Sequence, residues 1–78
     1  GKTEQIINCS KKALQLKPND PKLLNGLAWT LATVEDEKFR DPDKSIFLAY
    51  RACELTRFQN PICLDTLAAA YASAERFA

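Results

Sequence analysis

Leu24-Asn25-Gly26-Leu27-Ala28-Trp29-Thr30-Leu31-Ala32-Thr33 is the stretch whose reading decides the fold. Its apolar residues Leu24, Leu27, Ala28 and Leu31 recur in steps of three and four, the spacing of one face of an α-helix rather than the alternation of a strand. The same pattern returns 40 residues later in Leu64-Asp65-Thr66-Leu67-Ala68-Ala69-Ala70-Tyr71-Ala72-Ser73. At that offset Pro21, Leu24, Leu27, Ala28, Ala32 and Glu35 fall on Pro61, Leu64, Leu67, Ala68, Ala72 and Glu75. A recurring helix of this kind predicts an array of helical repeats.

Working outward, the second helix starts at Asp20-Pro21, a good N-cap followed by a residue preorganised for the first helical position. Gly26 inside it costs roughly 1 kcal/mol relative to Ala, and close approach of a neighbouring helix is the expected compensation. The periodicity fades after Val34, and Glu35-Asp36-Glu37-Lys38-Phe39-Arg40 reads as a charged, solvated connection with Phe39 anchored in the core. Upstream, a first helix runs from about Lys2 to Leu16, with Ile6, Cys9, Ala13 and Leu16 inward and Ile7 and Leu14 widening the stripe, until Pro18 forbids continuation. Downstream, Asp41-Pro42 launches a third helix ending near Thr56 or Arg57, with Ile46, Ala49, Tyr50, Ala52, Cys53 and Leu55 inward. Asn60-Pro61 launches a fourth, with Leu64, Leu67, Ala68 and Tyr71 inward and part of Leu67, Tyr71 and Phe77 left exposed. At an offset of 39, Ile7, Ala13 and Leu16 match Ile46, Ala52 and Leu55. Helices one and three are thus one type (B), and helices two and four another (A).

These residues resemble the tetratricopeptide repeat (TPR) family. Leu24, Leu27, Ala28 and Leu31 match its A-helix pattern, and Leu64, Leu67, Ala68 and Tyr71 match it better. Ala13-Leu14-Gln15-Leu16-Lys17-Pro18-Asn19-Asp20 looks like the end of a repeat, and Ala52-Cys53-Glu54-Leu55 occupies the same place in the next, with Arg57 where the closing Pro would stand. The period here is about 40 rather than the usual 34, the excess falling in the Val34-to-Asp41 connection, and position 45 carries Ser in place of a typical Ala. The resemblance implies an all-α fragment of antiparallel helix-turn-helix repeats, a TPR-like α-solenoid of four helices. The 78 residues then divide into a half repeat (1–18), a full repeat (19–57, with its A–B loop at 35–41) and a half repeat (58–78). Small residues (Ala28, Ala49, Ala52, Ala68) let the backbones approach. The exposed terminal helices predict self-association, end to end or by exchange of terminal helices.

Composition narrows the function. A net charge of +1 with acids and bases interspersed argues against nucleic acid or an acidic membrane surface. No apolar run approaches the roughly 20 residues that span a bilayer, and no apolar segment follows Gly1-Lys2-Thr3-Glu4-Gln5 as in a signal peptide. A start without Met reads as a piece of a longer chain. Three cysteines (Cys9, Cys53, Cys63) with no CxxC pair and no histidine fit neither a zinc site nor a disulfide framework, and are expected to be small buried hydrophobes in the reducing cytoplasm. Without His, a Gly-rich phosphate loop or a Ser/His/Asp set, an enzyme is not expected, nor a cofactor or metal. The acids of 35–37 and 41–43 read as solvated groups at helix ends, and their spacing is not that of an EF-hand loop.

The expected function is therefore a protein-interaction module that binds a peptide or partner helix. The resemblance places the binding groove on the concave face of the A helices, at Lys22, Asn25, Trp29, Ala32 and Thr33 and at Ile62, Asp65, Ala69, Ala72 and Ser73. The basic clusters of chaperone-tail-binding relatives are not reproduced. Trp29 lies more than a third of a turn off the Leu24-Leu27-Leu31 stripe, so it is a candidate anchor. The competing reading packs it between neighbouring A helices or under Phe39, at least half buried. The alternative function is a structural spacer or self-association segment of a larger array.

Overall fold

The computed structural model describes the backbone of residues 1–77 and the side chains of residues 1–76; the expected partial exposure of Phe77 lies outside the described side chains. Four helices follow one another: α1 (Lys2–Leu16), α2 (Pro21–Thr33), α3 (Pro42–Leu55) and α4 (Pro61–Phe77). The last three each begin with an Asx residue before Pro. The Asp20 carboxylate accepts from the amides of Lys22 (2.9 Å) and Leu23 (3.4 Å). Asp41 accepts from Lys44 at 3.1 Å, and Asn60 Oδ1 accepts from Ile62 at 2.9 Å. Each cap supplies a partner to an amide that the helix itself cannot satisfy, while Pro at the first helical position loses no bond.

α2 and α3 run antiparallel. The Asp41 amide donates to Leu31 O, Ser45 Oγ donates to Ala28 O at 2.6 Å, and the Arg51 guanidinium reaches Asn19 Oδ1 at 2.9 Å, so residue numbers rise on one helix as they fall on the other. α2 is the central element, touching α1, α3 and α4; α3 and α4 also touch each other, whereas α1 touches α2 alone among the helices. The core joins Ile7 of α1, Leu24, Leu27, Ala28 and Leu31 of α2, Leu48, Ala49, Ala52 and Cys53 of α3, and Cys63 and Ala70 of α4, with Phe39 anchored against it from the connection. The molecule is a slab of 33 × 30 × 15 Å. Its thickness is that of two helix layers, with axes about 8–10 Å apart and Cα atoms about 2.3 Å from each axis.

The expected faces of α2 are the buried ones, but three others differ. On α4 the buried residues are Cys63, Thr66, Ala70 and Ser73; Leu64 (40% exposed), Ala68 and Tyr71 (49%) face outward, and Leu67 is half-buried. α4 buries only the side turned towards α2 and α3, and the Leu64–Tyr71 side, which in α2 meets α3, carries no covering helix among the described residues. On α1 only Ile7 is buried, while Ile6, Cys9 and Leu16 are exposed, because α1 has a neighbour on one side only. On α3 Ser45 and Leu48 join the interior, and Tyr50 and Leu55 are exposed. Cys9 is therefore a surface thiol, unlike the buried Cys53 and Cys63. Gly26 also departs from expectation: it is exposed, and a Cβ built there would meet nothing within 4 Å, so no helix approaches it.

The end of α3 explains why Arg57 stands where the repeat pattern offers Pro. Arg57 and Phe58 both adopt left-handed backbone, φ 57° and 56°. The Arg57 amide donates to Glu54 O and the Phe58 amide to Cys53 O at 2.7 Å. This pair of bonds is a Schellman closure. Proline has no amide to give to Glu54. The left-handed conformation costs a non-glycine residue about 1–2 kcal/mol, and an edge-to-face contact of the Phe58 ring with Tyr50, 5.4 Å between centroids, helps to hold it.

Candidate functional site

Two A-type helices side by side make a groove, and the geometry follows from how α2 and α4 meet. Both contribute their C-terminal halves to one cleft of about 640 Å³, lined by Ala32, Thr33, Val34, Glu35, Arg40, Ala69, Ala72, Ser73 and Arg76. The two helices therefore point the same way. Small side chains (Ala32, Ala69, Ala72) keep the floor low, and hydroxyls and charges stand around it.

Three of the expected site residues, Thr33, Ala69 and Ser73, come together in this cleft with Ala32 and Ala72. Thr33 is exposed and donates its hydroxyl to Trp29 O at 2.8 Å. Ser73 is 5% exposed, and its Oγ has no hydrogen-bond partner. Lys22, Asn25, Ile62 and Asp65 do not line the cleft but stand on the N-terminal parts of the same two helices, and Trp29, one turn before Thr33, does not line it either. Lys22 and Asp65 are exposed, Ile62 is 66% exposed, and Trp29 is 49% exposed, half covered and half in solvent. Asn25 is half-buried, and its Oδ1 is buried without a partner. A buried, unpaired polar oxygen is uncommon, because leaving it unsatisfied costs about 1–3 kcal/mol. α2 and α4 carry one each.

Sequence reading missed Arg40, Glu35 and Arg76. Arg40 belongs to the connection expected to be solvated apart from Phe39, yet it folds back. Its Nε donates to Val34 O at 3.2 Å and its terminal nitrogen to Glu35 O at 2.7 Å, closing the carbonyl end of α2. A cation a few residues past a helix end is the signal that could have found it, since such side chains reach the last carbonyls and suit the negative end of the helix dipole. The rest of the connection is as expected: Glu35, Asp36, Glu37 and Lys38 are exposed, and Lys38 pairs with Asp36 at 3.8 Å.

The cleft is thus lined by two guanidinium groups, of which Arg40 is already bound to backbone, one carboxylate, two hydroxyls and a floor of methyl groups, with a half-exposed indole on α2. Such an arrangement can hold an extended segment by polar contacts at one end and apolar contact at the other. Among the described residues no cluster of three or more His, Cys, Asp or Glu is arranged to hold a metal ion, and no helix is long and apolar enough to cross a membrane. No protein-family model, curated protein or solved structure matches the chain.

Proposed function

We propose that the chain is a protein-interaction module of the tetratricopeptide type, which holds a peptide segment of a partner along the α2–α4 groove. The observation that carries this reading is the cleft that Thr33, Ala69 and Ser73 share between the two A-type helices, with the half-exposed Trp29 one turn before Thr33 on α2. The low floor of Ala32, Ala69 and Ala72 leaves room for a peptide backbone, and the exposed half of the indole supplies a large, rigid contact. On this reading the module works in a cytoplasmic protein without catalysis or cofactor, and neither nucleic acid nor membrane is its partner.

Trp29 is the chain's only tryptophan, so its fluorescence reports on the groove directly. Titration with a panel of peptides is expected to shift its emission to the blue for those that bind. Trp29→Ala should keep its helical circular dichroism and lose the binding, measured by calorimetry. A panel that leaves the emission unmoved, or a folded Trp29→Ala that binds as tightly as the parent, overturns the groove reading. Loss of helicity in Trp29→Ala would instead assign the residue to the core.

A further inference from the structure

The two ends of the slab carry the two halves of one interface. α2 and α3 show what an A-type helix and the following B-type helix look like when joined: Leu24, Ala28 and Leu31 are buried on one side, and Ser45, Leu48, Ala49 and Ala52 on the other. At the offset of 40, the α4 counterparts of the first set are Leu64, Ala68 and Tyr71, all exposed. At the offset of 39, the α1 counterparts of the second set are Ile6, Cys9, Ser10 and Ala13, two of them exposed and two half-buried. The α2 side next to α1 is open in the same sense. Gly26 is exposed with no atom within 4 Å of a Cβ, and Thr30 is half-buried, whereas their α4 counterparts, Thr66 and Ala70, are 2% and 0% exposed. The surface total agrees: the chain exposes 5365 Å², against about 4,700 Å² for a compact monomer of its mass.

We propose that copies of this chain stack head to tail. The Ile6–Cys9–Ala13 face of α1 in one copy packs on the Leu64–Ala68–Tyr71 face of α4 in the next, as α3 packs on α2, and the Gly26 face of α2 closes against the same α4. Charge favours this pairing over a like-with-like one. By helical spacing Lys2 shares the Ile6–Cys9–Ala13 face of α1, with Lys12 at its rim, and Glu75 shares the Leu64–Ala68–Tyr71 face of α4. The polar rim is reproduced as well: Arg51 donates to Asn19 across the α2–α3 pair, and their counterparts across the joint are Lys12 and Gln59. Because the two faces differ, the contact is heterologous and each copy leaves one of each kind free, so assembly continues beyond the dimer. The inference goes beyond peptide binding in the groove and does not require it.

The test is sedimentation velocity of the purified chain from micromolar to millimolar concentration, with circular dichroism as the control for folding. The parent is expected to form dimers and higher species as concentration rises. Tyr71→Glu spoils the α4 face, and Gly26→Arg fills the open α2 face at a position where the single chain has room for it. Each alone should remain folded and weaken association at least about tenfold. Mixed, the two should form a one-to-one complex and nothing larger, since one copy keeps its α1–α2 end and the other its α4 end. A parent that stays monomeric throughout, a Gly26→Arg chain that associates as the parent does (the mark of a symmetric α4–α4 dimer), or a mixture that stays monomeric overturns the proposal.

Discussion

Replacing Gly26 by alanine should make the chain more stable by about 1 kcal/mol. Gly26 lies inside α2 in ordinary helical backbone, exposed, with no atom within 4 Å of where a Cβ would stand. The added methyl group therefore meets no steric cost. The gain is the difference in helix propensity, about 0.8–1 kcal/mol, much of it because glycine leaves the unfolded chain more freedom to lose. For a chain of this size a urea m-value near the low end of the usual range, about 1–1.5 kcal/mol/M, turns that gain into a rise in midpoint of roughly 0.6–0.9 M. In thermal unfolding it corresponds to roughly 4–8 °C. The assay is urea titration followed by circular dichroism at 222 nm, carried out at two low protein concentrations, because association with another copy would add its own stabilisation. A midpoint that stays put or falls would refute the reasoning: something would then approach Gly26 in the folded single chain, and α2 would not have the open side described.

Leu27, 1% exposed at the centre of the core, sets the opposite extreme. Leu27→Ala should cost about 2–5 kcal/mol, a large share of the total of about 4–12 kcal/mol for 78 residues, and leave the chain largely unfolded by circular dichroism at 37 °C. The thiols should separate by reactivity. A disulfide reagent should modify Cys9 at once, and Cys53 and Cys63 only on unfolding; rapid modification of more than one thiol per native chain would contradict the burial. Burial, with the neighbouring Cys63, pushes the Cys53 thiol up. The native chain then keeps a proton that the unfolded chain has released, so this contribution is fully present below about pH 8.5 and falls away as pH rises beyond it. The urea midpoint should accordingly decline between about pH 8.5 and pH 10, and less so in a Cys53→Ala variant.

The fold was legible where the chemistry is local. The pairs Asp20-Pro21, Asp41-Pro42 and Asn60-Pro61 each announce a helix start within a residue, because the cap bonds involve neighbours only a few positions away. The buried stripe of α2 was legible too, since α2 has helices on most of its circumference. Periodicity, however, says which residues are able to form an apolar face, not how many faces find a partner. α4 carries the same Leu-x-x-Leu-Ala stripe as α2 yet buries Cys63, Thr66, Ala70 and Ser73, because its neighbours stand on the other side. The candidate site shows a similar division. Thr33, Ala69 and Ser73, which the resemblance placed on the groove, do meet in one cleft, while Arg40 arrives through the backbone carbonyls of Val34 and Glu35 just past α2, a geometry with no periodic trace.

The closure at Arg57 and Phe58 bears on what a ligand meets at the groove. Two backbone bonds and a ring contact fix the direction in which the chain leaves α3, and with it the tilt of α4 beside α2. On the proposed function, a groove wall fixed in this way would let an incoming peptide lose its own freedom without having to order the receptor as well. Selectivity would then fall to the peptide's shape, since a wall set in advance does not reshape itself around a poor fit.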